Sequence, residues 1–364
     1  MEKKDILEIL KDVPVPNIGQ NVMTLGWLKE VRVDDGNIYC DLTIPMDRAD
    51  IKNDLNFSLI GAIQEKFPDV EVHIHFTTTM MDNSAPSKDL GPMSGIKNII
   101  AVGSGKGGVG KSTISMNLAL GLKALGAKVG ILDADLYGPS IPTMMGIGGM
   151  RPKVKIVDGK NLIVPIEKFG IHAMSIGLVV DPEQAVVLRG PRLAGIIKQF
   201  FNECAWPALD YLIVDLPPGT GDIQLTMVQT VPVTGAVMVT TPQEVAYADA
   251  LKAMNMFKLD QIQVPVIGVV ENMSWFSPID MPDKKYLLFG EGGGKRLAKV
   301  GNTVLLGQVP LVQGIRESSD EGEPIMTKKE HPSQEYFINL AKNTARQTAM
   351  RNESLDPTRA VHIQ

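Results

Sequence analysis

The sequence predicts an α/β protein: a mostly parallel, doubly wound sheet with helices on both faces, preceded by a smaller α/β domain. Three observations carry this. First, short apolar runs at 97–102, 128–132, 210–216, 235–240, 265–270 and 303–308 are separated by helix-like stretches, notably 111–126, 190–204, 222–230 and 244–259. Such alternation builds βαβ crossovers. Second, runs such as Tyr211-Leu212-Ile213-Val214 are apolar at every position, as a strand covered on both faces must be. Third, the pattern changes across residues 82–95, a stretch rich in Pro, Ser and Gly that reads as a linker.

The first domain is expected over residues 1–81. Ile6, Leu7, Ile9 and Leu10 give residues 3–11 an apolar helical side. Residues 25–44 read as a hairpin turning at Asp34-Asp35-Gly36-Asn37, because Ile38, Cys40, Leu42 and Ile44 alternate with polar residues. Asp47 to Lys66 reads as a helix, and Val70, Val72, Ile74 and Phe76 alternate as a strand. The second domain is expected over 96–350, closing with a helix over 333–350 after Pro332. Tyr336, Phe337, Leu340 and Ala341 on that helix suggest docking on the body. Residues 351–364 read as a tail.

Composition excludes several classes. The 364 residues are 44% hydrophobic and 21% charged, which is neither disordered, coiled-coil nor collagenous. A net charge of −5 gives no global basic field, so neither a nucleic acid nor a membrane partner is expected. No apolar run approaches the ~18 residues that span a bilayer. No signal peptide is visible. The two cysteines, Cys40 and Cys204, exclude a disulfide framework, and a cytoplasmic location is expected.

The strongest chemical signal is Gly105-Lys106-Gly107-Gly108-Val109-Gly110-Lys111-Ser112. It satisfies G-x-x-x-x-G-K-[ST], entered by the strand Ile99–Val102 and left by a helix. This narrows the fold class to a P-loop NTPase sheet. Glycines let the backbone wrap a phosphate and turn its N–H groups inward, and the helix N-terminus adds its positive end. Lys111 is expected to reach the β- and γ-phosphates from the surface of the site, so that its removal spares the fold. Ser112 is expected to ligate Mg²⁺. Two further strands end in carboxylates, Asp133-Ala134-Asp135 and Asp215, at the edge where doubly wound sheets bind ligands. Asp215 fits the carboxylate that holds Mg²⁺ through water, and Asp135 lies where it can orient or activate the attacking water.

With Lys106 inside the loop, the motif KGGVGKS is a deviant Walker A sequence. Together with DADLYGPSIP at 133–142, DLPPGTGD at 215–222, ENM at 271–273 and FGEGGG at 289–294, the chain resembles the Mrp/ApbC branch of the MinD–ParA–nitrogenase-iron-protein superfamily. Residues 1–81 resemble the small SufT-like domain that often precedes this ATPase. The resemblance implies a homodimer that binds ATP near the subunit interface, with Lys106 reaching across to the partner's nucleotide. It places Asn272 near the adenine and Val309-Pro310 in a loop lining the base. It also implies iron–sulfur cluster assembly or transfer, with apoprotein clients or assembly factors as partners.

One departure bears on that last role. Members that carry a cluster place C-x-x-C shortly after ENM, whereas this chain reads Ser277-Pro278-Ile279-Asp280-Met281-Pro282-Asp283. The first domain has Ile44-Pro45-Met46-Asp47 where relatives carry a reactive cysteine. Asp280 and Asp283 are hard donors, poorly suited to iron–sulfur iron. Cys40 and Cys204 read as packed residues, and His73 and His75 as a solvated strand face. The cluster's ligands are therefore unassigned. The alternative reading is an ATP-driven positioning or protein-recruiting switch of the MinD/ParA type that carries no cluster itself.

Overall fold

A computed structural model describes residues 3–16, 19–34, 37–45, 51–68, 70–79, 93, 95–135, 138–157, 159–179, 190–220, 231–259, 262–278, 280–281 and 284–355. The chain divides into two compact units, Met1–Met81 and Asp82–Gln364.

The first unit contains helix α1 (Lys3–Asp12), strands β1 (Leu28–Asp34) and β2 (Asn37–Pro45), helix α2 (Lys52–Lys66) and strand β3 (Val72–Thr79). β1 and β2 pair antiparallel as a hairpin, and α2 carries the chain over to β3, which pairs parallel to β2. Alternate residues Ile38, Cys40, Leu42 and Ile44 of β2 point inward against Ile6, Leu10, Leu55, Leu59 and Ile63. The strand expected from Val70 begins at Val72, because the Val70 amide donates to Phe67 O in the preceding turn. Of the helix expected from Asp47, residues 47–50 lie outside the described residues.

The second unit is built on an eight-stranded sheet. Its elements are β4 (Ile96–Ser104), α3 (Lys111–Ala124), β5 (Val129–Asp133), α4 (Ile141–Met144), the hairpin β6 (Lys153–Val157) and β7 (Lys160–Val164), β8 (Ile166–Lys168), β9 (Ile171–Ser175) and α5 (Gly190–Asn202). There follow β10 (Leu209–Asp215), β11 (Gly235–Thr240), α6 (Glu244–Phe257), β12 (Val266–Phe276), α7 (Gly293–Val300), β13 (Leu305–Leu311), α8 (Gln313–Asp320) and α9 (Gln334–Ser354). The strand order is β13-β12-β11-β4-β10-β5-β9-β8, parallel throughout except for the antiparallel β8–β9 pair. The mostly parallel, doubly wound sheet predicted from the sequence is thus the fold.

The central strands are buried along nearly their whole length, so apolar side chains cover both faces. Phe200, Phe201 and Phe257 are fully buried in the same core, each contributing about 2 kcal/mol by leaving water. Helix α3 buries every residue from Ile114 to Leu122, as a helix covered on both sides must. Helix α9 docks through Phe337, Leu340 and Ala341. It runs to Ser354 rather than 350, because Arg351 is still buried and continues the docked face. The helix expected over 222–230 lies outside the described residues, as do residues 356–364 of the expected tail. Among the described residues no helix is long and apolar enough to cross a membrane.

Candidate functional site

The parallel strands β4, β10 and β5 are neighbours, so their C-terminal ends bring three sequence-distant segments together. The loop after β4 is the glycine-rich segment. Gly105 lies so close to the backbone of Asp249 and Ala250 in α6 that a Cβ there would overlap it. Gly110 has φ +79° and would, with a Cβ, strike the Asn272 amide. Both positions therefore require glycine.

Lys106, Gly107, Gly108, Gly110, Lys111, Ser112 and Asp135 line one cavity of about 230 Å³, with Ser104, Thr113, Ser140, Met144 and Pro218 completing its wall. Its floor is a charged cluster. Lys111 Nζ lies 2.8 Å from Asp215 Oδ1 and 3.9 Å from Asp135 Oδ2. Ser112 Oγ donates to Asp215 Oδ2 at 2.6 Å, and Ser115 Oγ donates to Asp215 Oδ1 at 2.6 Å. Asp215 is fully buried, and these three donors offset the cost of burying its charge. Lys111 is only 6% exposed, which corrects the expectation that it sits at the surface. Its removal would leave Asp215 buried without its counter-charge.

Asp133, fully buried at the end of β5, organises the neighbouring wall. Its carboxylate accepts from the amides of Asp135 at 3.1 Å and Ile141 at 3.2 Å, and from Ser175 Oγ at 3.1 Å. Burial, and then the nearby Asp215 charge, push its carboxyl up to about 8. The sequence offered Asp133 as a carboxylate without a role. Ser115 was missed, although its spacing of four from Lys111 puts both on one helix face. Ser175 comes from a strand that gave no sequence signal.

Three predicted residues are placed differently. Val109 points away from the cavity and is 2% exposed, while its carbonyl accepts from Asn272 Nδ2 at 2.8 Å. Asn272 thus grips the back of the phosphate loop and is not among the cavity-lining residues. Val309-Pro310 is not a loop: it lies in β13, where Val309 pairs with Asn272. Pro310 is tolerated there because β13 is an edge strand, which does not need every N–H for pairing. The Lys106 ammonium has no ion-pair or hydrogen-bond partner among the described residues.

Beyond ENM, an antiparallel bridge joins Phe276 to Tyr286; residues 279, 282 and 283 of the stretch between them lie outside the described residues. The Met281 and Lys284 amides donate to Pro278 O and Met281 O respectively. Cys40 and Cys204 lie in different compact units and are both buried. Desolvation pushes Cys40 up to about 11, with a smaller contribution from Asp41, and pushes Cys204 up to about 12. His73 stacks on Tyr39 with ring centroids 4.9 Å apart. Among the described residues no group of three His, Cys, Asp or Glu side chains is placed to hold a metal.

Residues 95–345 match the family described as NUBPL iron-transfer P-loop NTPase. The chain belongs to that family. Residues 3–84 match a second family, described as iron-sulfur cluster assembly protein. An iron-sulfur cluster carrier protein of Synechocystis sp. is 42% identical over 348 residues, covering 95% of this chain and 97% of the relative. One from Escherichia coli is 41% identical over 343 residues, covering 93% and 90%. A nucleotide-binding protein from Archaeoglobus fulgidus, solved in complex with ADP, is 37% identical with a TM-score of 0.57, covering 68% of this chain and 94% of that one. This NUBPL-type protein is accordingly a P-loop ATPase with a role in iron–sulfur cluster transfer.

Proposed function

We propose that the protein binds and hydrolyses Mg-ATP as a homodimer, and that this cycle assists delivery of iron–sulfur clusters to apoproteins or assembly factors. The observation that carries the nucleotide chemistry is the Lys111–Ser112–Asp215 cluster at the mouth of the glycine-rich loop. Lys111 supplies positive charge to the β- and γ-phosphates. Ser112 Oγ and, through water, Asp215 would hold magnesium, which would supply positive charge to offset that of the phosphates. Asp135 orients the water that attacks the γ-phosphorus and accepts its proton, while the bond to the bridging oxygen of ADP breaks. Lys106 extends to the nucleotide of the partner subunit, where its charge meets the negative charge of the transition state. Asn272 acts on the nucleotide through the phosphate loop, and Pro310 lies beside it on the edge strand.

The cluster is cargo, and this chain's thiols fit it poorly. A cluster bridging two subunits needs four thiolates. Cys40 and Cys204 are buried, with pKa values raised far above neutrality, so they stay protonated. The thiolates for cluster handling therefore come from the client or assembly factor. The same observation favours a second reading, a protein-recruiting ATP switch that carries no cluster itself.

Anaerobic reconstitution of the wild type and of the Cys40→Ser/Cys204→Ser variant, followed by iron, sulfide and visible-absorption measurements, tests both readings against direct carriage by this chain's own cysteines. The expected content is well under one stable cluster per dimer in both. A stoichiometric, chelator-resistant cluster in the wild type that disappears in a folded double variant would make the protein a carrier through its own cysteines.

A further inference from the structure

Glu271 is a buried carboxylate that the nucleotide chemistry above does not use. It lies in β12, paired with Thr240 of β11 and Gln308 of β13, and is 1% exposed. Its Oε2 accepts from the Gly294 amide at 2.6 Å, at the N-terminus of α7, and its Oε1 accepts from Gln308 Nε2 at 2.6 Å. A carboxylate at a helix N-terminus is favoured by the orphan N–H groups and the positive end of the dipole. Gly294 is required for this approach, since a Cβ there would lie 2.6 Å from the Glu271 Cβ.

Immediately after Glu271 the strand breaks its regular geometry. Met273 has φ +53°, the pairing with β13 shifts register between Asn272 and Phe276, and Ser274 Oγ donates back to Glu271 O at 2.8 Å. This kink aims Asn272 at the phosphate loop, where it donates to Val109 O and fills the space beside Gly110. A left-handed methionine is strained unless its surroundings hold it. Glu271 fixes the strand on one side of the kink, and Asn272 uses the result on the other.

We propose that Glu271 is a positioning residue for ATP binding: anchored between the α7 N-terminus and Gln308, it sets the 272–274 kink so that Asn272 holds the phosphate loop in its binding shape. The proposal rests on reading that loop as the ATP site. It makes Glu271 act through Asn272 rather than alone.

The test is a double-mutant cycle read by calorimetric ATP affinity. Asn272→Ala is expected to weaken ATP binding about five- to tenfold, the effect of one lost neutral hydrogen bond. Glu271→Ala should weaken it similarly, and the double variant should be no weaker than either single one, because both break the same link. Glu271→Gln should restore near wild-type affinity, since its amide oxygen accepts from Gly294 and its amide nitrogen pairs with a rotated Gln308. Losses that multiply in the double variant, or unchanged affinity in a folded Glu271→Ala, would overturn the proposal. If Glu271→Ala does not fold, Gln308→Ala removes one anchor of the carboxylate. It should then weaken ATP binding about twofold, and unchanged affinity again overturns the proposal. Lys111→Ala separates the two levels. If it leaves ATP affinity intact, the site reading fails. If it abolishes binding while the Glu271 variants do nothing, only the positioning role fails.

Discussion

Two strand ends in the same sheet carry opposite outcomes. At the end of β4 the loop Gly105–Ser112 keeps its glycines, its two lysines and its serine, and the fold gathers Asp215 and Asp135 around Lys111. At the end of β12, two strands away, the loop begins Ser277-Pro278 and contains no cysteine. It presents Met281, Tyr286, Leu287 and Leu288 to solvent instead. The two regions answer to different chemistry: phosphate recognition needs backbone N–H groups, a cation and a carboxylate in fixed geometry, whereas a bridging cluster needs soft thiolates. The requirements of the first can therefore be met in a chain whose segment after β12 carries no cysteine.

The sharpest way to test the intact end is to remove its transition-state groups. Lys106→Ala is expected to lower ATP turnover by about a thousandfold, within the range seen when a trans-acting cation is lost from phosphoryl transfer. Asp135→Asn should lower it about a hundredfold by removing the group that handles the water's proton. Both variants should keep ATP affinity within a few-fold. Wild-type turnover in either would break the mechanism at the β4 end.

A smaller effect is expected in binding. Lys111→Ala should raise the ATP dissociation constant by tens of fold, as loss of a charge-assisted contact does. Because Lys111 is buried against Asp215, the variant should also lose roughly 3 kcal/mol of stability, so affinity must be measured where circular dichroism shows it folded. Unchanged stability would mean that the Lys111–Asp215 pair is not closed in solution.

Much of this was legible beforehand, for reasons that differ by residue. The phosphate loop and Asp215 follow from local sequence, because strand, glycines and helix must be contiguous and a doubly wound sheet fixes where strand ends meet. The hairpin β6–β7 and the short strands β8 and β9 leave no mark in the sequence pattern. In Lys153–Val157 polar and apolar residues alternate only as far as Ile156 before Val157 breaks the pattern, and the strand is exposed along its length, so no burial pattern marks it. Helix α7 was hidden because it begins within the run Gly292-Gly293-Gly294, which reads as a loop by propensity. Gly293 and Gly294 are there because Pro242 and Glu271 crowd the helix start, and Gly292 because its φ is +75°, features no local pattern reveals. The partner of Asn272 was equally hidden, since its hydrogen bond spans 163 positions.

The β12 end is sharpened by thiol reactivity. With Cys40 raised to about 11 and Cys204 to about 12, the thiolate fraction at pH 8 is far below that of an ordinary cysteine, and burial blocks access as well. Ellman's reagent is expected to find neither thiol in the native protein on a minutes timescale and both after denaturation. Fast reaction of a native thiol would reopen direct cluster ligation by this chain.

A pH-dependent effect concerns Asp133, the buried carboxyl group behind the β4 end. Its folded value is raised to about 8 from an ordinary 3.8, first by burial and then by Asp215. The folded state therefore holds a proton that the unfolded state releases between those values. Its contribution to stability is fully present below about pH 4 and is lost as pH rises through about 8. Asp133→Asn cannot ionise, so it removes this slope, whatever constant offset its altered hydrogen bonds to Asp135, Ile141 and Ser175 introduce. Thermal unfolding of both proteins from pH 5 to 9 isolates the residue, because every other titrating group is common to the pair. The Tm of the variant relative to wild type is expected to rise from pH 5 to about pH 8 and to level off above it. A pH-independent difference would mean that Asp133 is ionised throughout, its charge held by Lys111 and the surrounding donors, and the β4 end would then carry one more negative charge than its burial suggests.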